Sequence, residues 1–175
     1  MEEFCDAISN FEEKLGMTFL QMPENFQPKY IDRVKSFIEN FPKGVPLAVE
    51  MRHTDWFTDP RTFDDFYRLL RDHHVANVIV DTAGRRDMLH MRLTNHSAFV
   101  RYVGANHESD YSRLDTWVER IMEWRSQGLQ KLCFFVHQNE EKASPALSAH
   151  FIRKLNDATG LSLKIPVIAD NPLGL

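Results

Sequence analysis

Residues 46–70, PLAVEMRHTDWFTDPRTFDDFYRLL, decide the fold class. Pro46–Met51 is a short, almost wholly apolar run, as expected of a strand covered on both faces of a parallel sheet. Thr58 or Asp59 can cap the next element, Pro60 suits a first helical turn, and Phe63, Phe66, Tyr67 and Leu70 recur at helical spacing. One strand followed by one helix is a βα unit.

The unit repeats outward in both directions. Upstream, Phe4, Ala7, Ile8, Phe11 and Leu15 predict an opening helix closed near Gly16. Met17–Gln21 predicts a strand, and Ile31, Val34, Phe37, Ile38 and Phe41 predict the helix after it. Downstream, Val75–Asp81 (VANVIVD) and Ala98–Val103 (AFVRYV) are strands separated by a polar, weakly helical segment. Ser112 and Asp115 resemble a capping box ahead of a helix carrying Leu114, Trp117, Val118, Ile121 and Trp124. Lys131–His137 (KLCFFVH) is a fifth strand, and Ser144-Pro145 opens a last helix with Leu147, Phe151 and Leu155 inward and Gly160 at its end. The closing IPVIADNPLGL reads as a short strand or an extended tail. Strands alternating with helices require right-handed crossovers and a parallel sheet, so the class is α/β.

Composition narrows function more than it defines it. With 175 residues, 43% of them hydrophobic and 26% charged, the chain can bury a core as one domain over residues 1–175. A net charge of -4 gives no chain-wide basic field, so nucleic acid stays open as a partner only through a local patch. No apolar run approaches the roughly 20 residues of a membrane span, and the N-terminal MEEFCD is acidic where a secretory leader is basic. Cys5 and Cys133 are far apart and lack CxxC spacing, which fits a reducing, cytoplasmic setting. No GxGxxG or GxxxxGK[ST] loop follows any strand, and the sequence names no cofactor.

The strand ends carry a resemblance. FLQMP (19–23), LAVEMRHTDWF (47–57), SAFVRYVGAN (97–106), YSRLDTWVERI (111–121) and CFFVHQNEEKASP (133–145) together resemble the YecE-like family, also called domain of unknown function 72. The family's Q-L-P, A-V-E-F-R-H-x-S-W, V-R-x-H-G, Y-S-x-x-E-L-x-x-W and Y-F-N-N segments match in order over most of the chain. Tyr102-Val103 stand before Gly104 where the family often has His, and His137-Gln138 where it usually has Asn-Asn. The resemblance implies a TIM-like (β/α) barrel in which the Q-L-P strand is the fourth. The chain is therefore expected to hold the C-terminal five βα units of an incomplete barrel, lacking about the first three strands. Exposed sheet edges would then favour self-association.

In such a barrel, functional groups sit at the C-terminal strand ends. Alternation places Glu50 and Arg52 on one face of their strand. If that face is the lumen, Glu50, Arg52, Asp81 and Arg101 are expected to converge. A functional reading gives Arg52 and Arg101 to a small anionic or phosphorylated ligand, Glu50 or Asp81 to general-base work, and His53 or His137 to acid or proton-shuttle work. A structural reading makes the same charges an ion-pair network across the barrel. Trp56 offers a stacking surface or caps the core; Gln21 and Asn139 complete the ligand-binding candidates, and Gln21 can equally hold loop backbone. Glu50, Asp81 and His137 could gather a divalent ion, but no HxH or HExxH pair supports them and the arginines would repel a cation, so no metal is assigned. Two functions compete: an enzyme acting on an anionic substrate by acid-base or metal-assisted chemistry, and a non-catalytic ligand- or partner-binding barrel, with an inactive fragment as a third outcome.

Overall fold

A computed structural model describes residues 2–167. Its elements in chain order are α1 (Glu2–Ser9), β1 (Thr18–Gln21), α2 (Ile31–Asn40), β2 (Leu47–Glu50), α3 (Asp55–Thr58), α4 (Pro60–Asp72), β3 (Ala76–Thr82), β4 (Ser97–Gly104), α5 (Ser109–Ser126), β5 (Lys131–Gln138) and α6 (Ser144–Thr159). The five strands pair in sequence order, every pair parallel, and curl into a half-barrel.

Register sorts the side chains. Ala48 lies beside Ala76, Val78 beside Phe99 and Phe99 beside Cys133. Those positions share the inner face, where Ala48, Ala76, Val78 and Phe99 pack with Met17, Val80 and Cys133. Phe99 stacks on Phe135 and tilts against Phe19, and those two rings remain 45% and 48% exposed. The alternate residues face the helices. Val34, Ile38, Val49, Trp56, Phe66 and Leu70 form one outer core, while Val100, Tyr102, Leu114, Trp117, Phe151 and Leu155 belong to a second.

Several boundaries differ from expectation for local reasons. The opening helix stops at Ser9 because the Ser9 hydroxyl and Asn10 amide take the carbonyls of Asp6 and Ala7. A 3-10 turn, Glu12–Lys14, follows, and Phe4 and Phe11 stay exposed. Of the two candidate caps for α4, Asp59 serves, accepting the Thr62 N–H at 2.9 Å. The connection from β3 to β4 holds only a 3-10 turn, Arg86–Met88. Buried Asn77 organises it instead: its amide donates to the Arg92 carbonyl at 2.8 Å and its carbonyl accepts the Thr94 N–H at 3.2 Å. Helix α5 begins at Ser109, a turn before the expected capping box, and Asp115 binds His150 of α6 at 2.8 Å. Gly160 ends α6 with φ +71°, the left-handed conformation that glycine tolerates. The predicted tail element falls mainly on residues 168–175, outside the described residues.

Candidate functional site

The register that aligns Gln21 with Glu50 places both on the inner face at the C-terminal ends of β1 and β2. Arg101, two residues past Phe99 and on the same face, reaches across from β4. Glu50 Oε1 accepts from the Gln21 amide at 3.0 Å, and Oε2 accepts from Arg101 Nη1 at 2.6 Å. Arg52 Nε lies 4.0 Å from the same carboxylate, while its Nη2 donates to Glu24 at 2.6 Å. The Glu50 side chain is only 2% exposed. Taking a carboxylate out of water is costly unless it is paired and hydrogen-bonded, and here both oxygens are. The guanidinium groups remain reachable, at 27% exposure for Arg101 and 39% for Arg52.

These residues line a cavity of about 280 Å³, whose wall also includes Arg85, Thr82 and Val80. Its charged lining comprises Arg52, Arg85 and Arg101 against Glu24 and Glu50, a net of +1. Arg85 is half exposed and is steadied by Asp87 at 3.2 Å. Glu24 and Arg85 were not singled out by sequence; their position in loops that follow β1 and β3 is the signal that could have found them.

Of the candidate site residues, the structure brings Gln21, Glu50, Arg52 and Arg101 together. Asp81 is not with them. It occupies an outward position of β3, buried, and accepts from Arg113 Nη2 at 2.7 Å and the Trp117 indole at 2.8 Å. The expected convergence of four charges is thus a convergence of three. Trp56 is buried too: its indole donates to the Phe26 carbonyl at 2.7 Å, and its ring stacks on Phe26. His53 turns its Nδ1 toward the Asp55 N–H at 3.2 Å, at the start of α3. His137 is on the inner face of β5 and meets Glu141 at 3.3 Å, and Asn139 is exposed beyond that strand; neither lines the cavity. Among the described residues, no three His, Cys, Asp or Glu side chains come together as a metal cluster.

A second polar constellation was not anticipated. Asp110, in the first turn of α5, accepts from the Ala105 and His107 N–H groups and from Gln138, Tyr102 and Arg113. Burial alone would raise its carboxyl pKa, but the hydrogen bonds from Ala105, His107, Gln138 and Tyr102 prevail and hold it below the usual value. Burial conversely pushes the Tyr102 phenol well above its ordinary range. Gly104 makes the assembly possible, because a Cβ there would come within 2.3 Å of Gln138 Oε1 and 2.8 Å of Asp110 Oδ2. Gln138 is one of the positions at which this sequence departs from the family pattern, and it meets Tyr102 in one network around Asp110.

Comparison with known proteins agrees with this architecture. The family described as "Protein of unknown function DUF72" matches residues 1–169. The UPF0759 protein YecE of Escherichia coli K12 is 24% identical over 164 residues, covering 83% of this chain and 60% of the relative. The chain thus spans about three fifths of the length of the curated relatives it matches. A DUF72 family protein from Enterococcus faecalis superposes with a TM-score of 0.71 at 16% identity, over 91% of this chain and 67% of the other. Another, from Thermotoga maritima, gives 0.67 at 25% identity, over 89% and 64%. The extent of the family match, together with the shared fold, shows that the chain belongs to the DUF72 family.

Proposed function

We propose that the cavity at the C-terminal ends of β1 to β4 binds a small anionic ligand, a carboxylate or a phosphomonoester, through Arg52, Arg85 and Arg101. The observation that carries this reading is the state of Glu50. A buried carboxylate with both oxygens engaged is a good anchor, and it fixes the Arg101 fork while leaving part of it facing the cavity. Glu50 therefore acts as a positioning residue. An acid-base role for Glu50, His53 or His137 would need ligand-induced rearrangement, and Asp81 would act from the other face of the sheet.

The test is thermal. A ligand at one hundred times its Kd stabilises by about 2.7 kcal/mol, which for a domain of this size raises the melting temperature by about 5–10 °C. Carboxylates and phosphomonoesters should give such a shift, and R52Q/R85Q should lose the carboxylate shift and diminish the phosphomonoester one while melting without ligand close to the parent, since the carboxylates paired with these arginines, Glu24 and Asp87, are exposed. A shift that persists undiminished in R52Q/R85Q, or no shift with either ligand class, refutes the assignment.

A further inference from the structure

We propose that a second cavity, on the helix-facing side of the sheet, binds the phosphate group of a small ligand. It lies between the C-terminal end of β3, the segment carrying Arg86 and Met91, and α5, with a volume of about 180 Å³. Because Asp81 and Val80 point to opposite faces of β3, this cavity is separate from the one around Glu50.

Its charged lining is Arg86, Arg113 and Arg120 against Asp81, a net of +2. Asp81 is spoken for, since Arg113 and the Trp117 indole occupy its two oxygens. Arg113 is anchored further by Asp110 at 3.2 Å and lies over the Tyr102 ring, and its buried Nε has no hydrogen-bond partner. The other two arginines are available. Among the described residues Arg86 has no carboxylate within ion-pair distance, and Arg120 meets only half-exposed Glu123 at 2.6 Å, a neighbour one helical turn away that water competes for. Two guanidinium forks with uncommitted donors suit a tetrahedral dianion, and the apolar walls of Met91 and Trp117 limit screening. The volume admits a phosphate with a short substituent but is below that of typical drug-sized pockets, about 300–1,000 Å³.

Trp117 supplies the readout, because it lines the cavity and its indole N–H donates to Asp81, which lines it too. The chain is titrated with inorganic phosphate and, separately, with glycerol phosphate, against sodium chloride of equal ionic strength, and the indole resonances are followed in ¹H–¹⁵N spectra. Saturable movement of the Trp117 signal is expected, with the Trp56 signal, bonded to Phe26 elsewhere in the core, as a fixed control. R86Q and R120Q should each weaken binding about tenfold, the size of one charge-assisted hydrogen bond, and together abolish it; R52Q should leave the Trp117 titration intact, so the two cavities fail independently. Tighter binding of glycerol phosphate identifies an ester as the ligand, and tighter binding of inorganic phosphate identifies the free ion. A Trp117 signal that moves with neither, or that moves equally in R86Q/R120Q, overturns the proposal.

Discussion

Replacing Arg101 with methionine should unmask what holds Glu50. In the parent chain the Glu50 carboxylate has a 2.6 Å bond to Arg101, a 3.0 Å bond to Gln21 and a 4.0 Å approach from Arg52. Breaking a buried pair by removing one partner costs about 3–5 kcal/mol. The surviving Gln21 bond places R101M near the lower end, about 3 kcal/mol, which corresponds to a melting temperature lower by about 6–12 °C. E50Q is gentler, about 1 kcal/mol, because Arg101 is partly exposed and can turn to water. With both charges gone no ion is stranded, so E50Q/R101M should be more stable than R101M alone, giving a coupling energy of about 2–3 kcal/mol. Urea unfolding followed by circular dichroism measures all four corners of the cycle. An R101M midpoint indistinguishable from the parent, or a double variant whose loss equals the sum of the single losses, refutes the view that Arg101 is the main counterion of Glu50.

Two further outcomes follow from buried polar groups. His90 is held by burial, with Arg92 nearby, at a pKa of about 4, below its ordinary 6.5. The unfolded chain binds the proton more readily between those values, so stability should be full above about pH 6.5 and fall as pH drops toward 4, by about 2–4 kcal/mol. His90→Phe, placed against Phe57 and Phe63, should flatten that slope in pH-dependent urea melts; an unchanged slope would show that another group sets it. Gly104→Ala drives a methyl group into Gln138 and Asp110 and should cost about 2–4 kcal/mol. Adding Gln138→Ala should recover part of that loss by making room, and a Gly104→Ala variant as stable as the parent would place the network's tolerance elsewhere.

Much of the fold was legible as pattern. Val34 and Ile38, Phe66 and Leu70, and Leu114, Trp117 and Ile121 gave the helices away because one apolar stripe per helix must face the sheet. The segment between β3 and β4 was illegible because its order comes from long-range polar bonds, those of the buried Asn77 amide across 15 to 17 residues among them, which leave no period in the sequence. Asp110 was hidden in the same way, its partners Gln138 and Tyr102 being brought to it by the parallel pairing of β4 and β5.

The sequence alone determined the order of strands and helices, the α/β class and the grouping of Glu50 with Arg52, since local periodicity and alternation act within one element. Only the tertiary structure decided which strands share a face. Pairing Ala48 with Ala76 sets Glu50 level with Val78 and puts Val80, not Asp81, on the inner surface. A shift of one residue in that register would have reversed the outcome, because side chains along a strand alternate with a period of two. That parity is why one charged cluster expected from sequence is two, on opposite sides of the sheet.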